Sequence, residues 1–126
     1  MSDIRANTIS DAAGTGPITL TKQSAAKAFI RYDSNGGNTI NVSFNVASVT
    51  DNGTGYQTTN FTNSMSGSFQ VVTGANDVDA SSSTYNLSPH TYASGSVGCD
   101  SWKQTSGTTT QVDINRSMLS VFGDLA

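Results

Sequence analysis

The chain contains no glutamate: all nine of its acidic residues are aspartate, and leucine is scarce. Both side chains sustain helix interiors well, so their shortage favours extended structure by elimination. A single cysteine, Cys99, excludes any intrachain disulfide and with it a disulfide-stapled secreted scaffold, and it suits synthesis in a reducing cytosol. A single histidine, His90, excludes an imidazole cluster for zinc or a redox metal. Basic residues number only six and are scattered, giving a formal net charge of −3 and a pI near 4.6. No basic stripe exists to neutralise phosphates, so no nucleic-acid partner is expected. No apolar run approaches a membrane-spanning helix, so no membrane span is expected either, and Met1-Ser2-Asp3-Ile4-Arg5 lacks the basic-then-apolar pattern of a secretory signal.

What fills the space is hydroxyl and amide. Ser, Thr and Asn make up about 37% of the 126 residues, well above ordinary globular usage, while charged residues are only 12%. The expected surface is polar but barely ionic. The length fits one domain with one core. A composition that is 35% hydrophobic is thin for that core, so burial against identical subunits is the natural supplement.

The clearest local signal is Asp51-Asn52-Gly53-Thr54-Gly55, a turn whose residues tolerate positive φ, between flanks rich in β-branched and aromatic side chains. It predicts a β-hairpin. Upstream, residues 4–9 and 18–21 read as short extended pieces around a small-residue bend, forming an N-terminal arm over residues 1–21, and residues 24–28 suit one helical turn. The domain proper is expected over residues 22–126, starting with a strand at 29–32. After the turn cluster 33–38, Ile40, Val42, Phe44 and Val46 alternate with polar residues, which predicts one strand with those four side chains buried. Strands follow at 56–62, 68–73, 97–103 and 109–115, with a closing strand at 117–123 and successive strands pairing as a meander. Residues 74–98 read as exposed, variable loop. Together these give an all-β fold, an antiparallel β-sandwich or small barrel of about seven strands with an extended N-terminal arm.

Chemistry is sparse. His90 and Cys99 are the only material for a Cys-His pair, and a loop histidine beside Ser88-Pro89 with a cysteine in a strand reads more simply as a surface and a core residue. Asp51-Asn52-Gly53 and Asp77-Val78-Asp79 offer carboxylates in turns but lack the loop length and terminal bidentate acid of a calcium site. Gly14-Thr15-Gly16-Pro17 lacks the lysine and glycine spacing of a phosphate loop. No catalytic residue, metal or cofactor is therefore expected. Aromatic faces beside amides and hydroxyls suit sugars, so Trp102, Tyr85, Tyr92 and Tyr56 offer a stacking platform; the plainer reading is core packing for Trp102 and rim positions for the tyrosines, and Tyr85, His90 and Tyr92 are the candidate glycan contacts.

Three segments carry a resemblance: Arg5-Ala6-Asn7-Thr8-Ile9-Ser10-Asp11-Ala12-Ala13-Gly14-Thr15-Gly16-Pro17 with Leu20-Thr21 and Ser24-Ala25-Ala26-Lys27-Ala28; Val49-Thr50-Asp51-Asn52-Gly53-Thr54-Gly55-Tyr56 with Asn60-Phe61-Thr62; and Val121-Phe122-Gly123-Asp124. Together they resemble small virion surface and tail-fibre-type structural proteins of marine tailed bacteriophages. The resemblance implies a non-enzymatic homotrimer located in the virion and made in the bacterial cytoplasm, serving as a capsid decoration, knob or fibre-head piece. It implies capsid or tail proteins as partners, with the arm as anchor through Ile4, Arg5, Asn7 and Ile9. Because the sequence passes from Met1 almost directly into the domain, a separate short surface protein is expected. The alternative is a receptor- or carbohydrate-binding adhesin module that contacts host surface glycan.

Overall fold

The computed structural model describes residues 25–77 and 83–126. The expected arm, with Ile4, Arg5, Asn7 and Ile9, lies outside them. Among the described residues nine strands are formed: β1 (Ala28–Asp33), β2 (Thr39–Phe44), β3 (Val46–Gly53), β4 (Tyr56–Phe61), β5 (Gln70–Asn76), β6 (Thr84–Ala93), β7 (Ser96–Thr105), β8 (Thr108–Gln111) and β9 (Arg116–Phe122). They make two antiparallel sheets, β2-β1-β9-β5 and β3-β4-β7-β6, with β8 continuing beside β7 beyond the end of β4. The protein is an all-β antiparallel sandwich.

The strands do not follow one another as a meander. Hairpins join β1 to β2, β3 to β4, β6 to β7 and β7 to β8, but β4 pairs with β7 and β5 with β9. The last strand is not an edge; β9 lies between β1 and β5. Residues 25–27, expected in a helical turn, are irregular, and Ala28 already opens β1.

The largest correction concerns the alternating run 40–46. It is two strands in two sheets, broken at Asn45, which takes a left-handed conformation with φ 53°. The Asn45 side chain fixes that corner by donating to the Lys27 and Asn63 carbonyls at 3.0 and 3.1 Å and accepting from the Asn63 backbone N–H at 2.7 Å. Asn is among the few non-glycine residues that visit this region readily. The alternation was real but its phase was reversed: β1 and β2 pair Phe29 with Phe44 and Arg31 with Val42, so Val42 and Phe44 stand on the outer face with Phe29. A register shift opposite Arg31 and Tyr32 then leaves Asn41 without a partner.

A second correction concerns residues 74–98. Residues 74–76 complete β5, and residues 84–98 belong to a long β6–β7 hairpin. The core forms where the inward residues of the sheets meet: Ala28, Ile30, Tyr32, Leu119 and Val121 from one, Phe61, Leu87, Val97 and Cys99 from the other, with Met65 from the connecting loop. A Thr73 hydroxyl donating to the Leu87 carbonyl at 2.6 Å ties β5 to β6 across the sheets. The centre is partly polar. Tyr32 and Ser117 are buried cross-strand neighbours whose hydroxyls have no hydrogen-bond partner of normal geometry among the described residues.

Candidate functional site: the two outer faces

A strand shows alternate side chains to opposite faces, so the ladders specify each face of the sandwich. On the outside of the β2-β1-β9-β5 sheet, one row runs Phe44, Phe29, Ser120, Val72, and the next runs Val42, Arg31, Met118, Gly74. The Phe29 and Phe44 rings stack with centroids 5.9 Å apart. Val42, Phe44 and Val72 are 50%, 52% and 62% exposed, and Phe29 and Met118 are exposed beside them. This is a contiguous apolar patch of the kind that marks interaction surfaces. Its edge strand β2, Thr-Ile-Asn-Val-Ser-Phe, has no charge and no proline to discourage pairing.

The outside of the other sheet is different in kind. Its rows run Asn86, Trp102, Gln111; then Ser88, Asp100, Tyr56; then Thr91, Gly98, Thr58, Thr50. Gln111 Nε2 donates to Asp100 Oδ1 at 3.0 Å, and His90 Nε2 lies 3.8 Å from the same oxygen. At His90 the β6–β7 register shifts, so this residue is the bulge between Pro89 and Thr91. Its ring crosses Gly98 and reaches Tyr56, with centroids 5.0 Å apart. A Cβ on Gly98 would stand 3.4 Å from His90 Cε1 and Nε2 and 3.2 Å from Thr91 Cβ, so the glycine opens the space that the ring occupies. Pro89 and this bulge blunt the β6 edge.

Asp113 supports this face from its rim. Its Oδ1 accepts from the Gly55 backbone N–H at 2.8 Å and from Gln57 Nε2 at 2.9 Å, fixing the end of the β3–β4 turn beside β8. That turn is the hairpin expected at Asp51-Asn52-Gly53, where Asp51 Oδ1 accepts the Gly53 N–H at 2.9 Å. Asp77 Oδ1 accepts from Asn115 Nδ2. All three carboxylates act in local structure; Val78 and Asp79 of the second aspartate motif lie outside the described residues. No group of three or more His, Cys, Asp or Glu that could hold a metal occurs among the described residues, nor is any helix there long and apolar enough to cross a membrane.

The three residues expected to share a glycan site are separated. Tyr85 and Tyr92 sit near opposite ends of β6 on the side facing the other sheet, since they pair with Lys103 and Val97, whereas His90 is outside. The Lys103 ammonium lies 5.8 Å from the Tyr85 ring centroid. Tyr92 joins Phe69 and Phe61 in an aromatic series at one end of the core, beside a shallow cleft formed by residues 66–69 and 92–94. Trp102, assigned to the core, stands instead half-buried on the outer face, because register with Asn86 and Gln111 puts it outside. Alternation around Cys99 held the clue: Val97, Cys99 and Ser101 form the inward set, so Trp102 belongs to the outward one.

Cys99 and His90 lie on opposite sides of one sheet and form no pair. Cys99 is 1% exposed. Burial, reinforced by the Asp100 carboxylate, pushes its thiol up to about 12, so it stays protonated and a poor nucleophile at neutral pH. Burial likewise holds the Tyr32 phenol well above its ordinary range, with a further push from nearby Cys99 and a partial offset from Ser117. No protein-family model, curated protein or solved structure matches the chain.

Proposed function

We propose that this protein is a non-enzymatic structural protein of a tailed-phage virion, displayed on the particle surface as a homotrimer through the apolar face of the β2-β1-β9-β5 sheet. That exposed face carries the proposal. The sequence resemblance supplies the virion context, as capsid decoration, knob or fibre-head piece with capsid or tail proteins as partners. A second copy is the fitting occupant because the two rows from Phe44 to Val72 and from Val42 to Gly74 carry one charge, Arg31, with Asp33 and Arg116 at the far end of the face, and because β2 has no charge or proline along its edge. Four strands at ~4.8 Å spacing and about six residues at ~3.3 Å each give a face on the order of 400 Å². That is about half of the ~800 Å² that each partner contributes to a standard interface, so the contact must take in the β2 edge as well.

The test is sedimentation of the full chain and of a Phe44→Asp variant, together with side-chain-resolution density for intact particles. The native chain is expected to sediment as a trimer at micromolar concentration and to appear at regular surface positions on the particle. Phe44→Asp is expected to remain folded and monomeric. A native monomer absent from purified particles overturns the proposal. So does a monomer whose Phe29 and Phe44 become solvent-accessible only after residues 1–21 are removed, since the chain's own arm would then be the occupant.

A further inference from the structure

The outer face of the β3-β4-β7-β6 sheet carries an aromatic ring among uncharged amide and hydroxyl side chains. Trp102 lines an open cleft of about 370 Å³ with Thr84, Asn86, Gln104 and Thr109. Register fixes the arrangement. Asn86 flanks the indole on one side and Gln111 on the other, and Thr84, Gln104 and Thr109 form the next row along the strands.

Among the described residues, no protein group forms a hydrogen bond with the side chains of Thr84, Asn86, Trp102, Gln104 or Thr109 (the bonds found nearby involve Gln111, Asp100 and Thr58). An amide offers donors and an acceptor together, and a hydroxyl offers both from one atom, so such a row can engage neighbouring hydroxyls of a polyol. The indole provides a flat apolar face with a polar N–H at its edge. A face of aromatic ring framed by amides and hydroxyls matches a pyranose, whose ring presents C–H bonds above and below and hydroxyls around its rim.

A second aromatic surface lies one row away. Tyr56 pairs with Asp100, two residues from Trp102 on β7, which puts it roughly 7–8 Å diagonally across the ladder. His90 extends that surface over Gly98. Asp100 between the two surfaces brings a negative charge, and no lysine or arginine belongs to these outward rows. Carboxylated sugars would meet like charge there.

We infer that this face is a binding site for a neutral saccharide, with one pyranose stacked on Trp102 between Asn86 and Gln111 and the chain continuing toward Tyr56 and His90. The inference is independent of the virion proposal, since it concerns the opposite face and needs only a folded domain.

Trp102 is the sole tryptophan, so intrinsic emission reports the site directly. The full chain is titrated with neutral oligomers of dextran, mannan and galactan and with acidic oligogalacturonate, while binding is followed in parallel by calorimetry. At least one neutral oligomer is expected to shift the emission and to bind. Loss of the stacked ring should weaken that binding roughly tenfold or more in Trp102→Ala, with Trp102→Phe intermediate. Asn86→Ala combined with Gln104→Ala, both at exposed positions, should weaken it while leaving the circular dichroism of the fold unchanged. The inference is overturned if no neutral oligomer binds at millimolar concentration, or if Trp102→Ala and the double variant bind as tightly as the native chain. Equal binding of oligogalacturonate overturns the ligand class. Emission that changes with protein concentration alone, without sugar, makes the face a subunit contact and also overturns the inference.

Discussion

The two outer faces of this sandwich are built on the same pleat from the same limited set of residues, yet one presents Phe29, Val42, Phe44, Val72 and Met118, and the other Tyr56, Asn86, Asp100 and Trp102. The first resembles half of an unfinished core. The second resembles a wet, recognising surface. In a chain so poor in charge, the division of labour depends on which way each strand is turned, and two small devices set that: a left-handed Asn45 between β2 and β3, and the His90 bulge in β6. Composition reports how much apolar material there is, and register reports where it is offered.

The contrast can be broken most forcefully from inside. Leu119 and Met118 are neighbours on β9, one 2% exposed in the core and the other on the apolar outer face. Leu119→Ala is expected to cost about 2–5 kcal/mol, whereas Met118→Ser should cost a dissociated subunit within ~0.5 kcal/mol. Urea unfolding of both variants at a concentration where neither associates measures the difference. Equal losses would mean that the outer face is already covered within the subunit.

Next in size is Gly55→Ala, which attacks the support of the wet face. Gly55 has φ +69°, and an added Cβ would stand 2.5 Å from Gln111 Cγ and 2.8 Å from Ser101 O and Val112 N. Two of those three atoms are backbone and cannot swing away. The left-handed conformation and the crowding together predict a loss of about 3 kcal/mol. Thermal unfolding gives the size, and amide exchange should place the damage at β8 and the start of β4 while the β1–β9 ladder keeps its protection.

The smallest expected effect, taken per pH unit, is a slope in alkali, and it sharpens the distinction between both faces and the buried centre. Cys99 has its thiol raised from 9.0 to about 12. Between those values the unfolded chain holds fewer protons than the folded one, so stability is full below pH 9 and falls as pH rises toward 12. The slope should reach at most ~1.4 kcal/mol per pH unit for one group. Tyr32, whose folded phenol also lies above its ordinary 10.0, steepens the fall above pH 10. Denaturant midpoints taken from pH 7 to 11 should show the decline, and Cys99→Ala should delay its onset to about pH 10.

Much of this architecture was legible in the sequence. The β3–β4 hairpin announced itself because Asp51-Asn52-Gly53 meets the backbone demands of a reversal locally, with Asp51 accepting its own turn N–H. The all-β class and the inward set around Val97 and Cys99 could likewise be read from residue type. Phase could not. Period-two spacing says that Val42 and Phe44 share a face but not that the face is outside, because the choice rests on pairing with β1 and on the corner at Asn45. Strand β6 was hidden because its outward residues, Thr84, Asn86, Ser88 and Thr91, are those a loop would use, and only Leu87 is fully buried. The candidate sugar residues are divided for a related reason: Tyr85, His90 and Tyr92 are near in sequence but are split between faces by the bulge, while Trp102 and Tyr56, the other two aromatic candidates, meet across strands that sequence order does not join.

One feature of the topology also bears on mechanics. The chain enters the domain at β1, an interior strand held by ladders to β2 on one side and β9 on the other. Tension applied along that strand through the preceding segment loads both rows of hydrogen bonds together, in shear, instead of peeling them one by one as it would at an outer strand. A tether attached there would resist pulling better than one attached at β2, β3 or β6, where a single row carries the load.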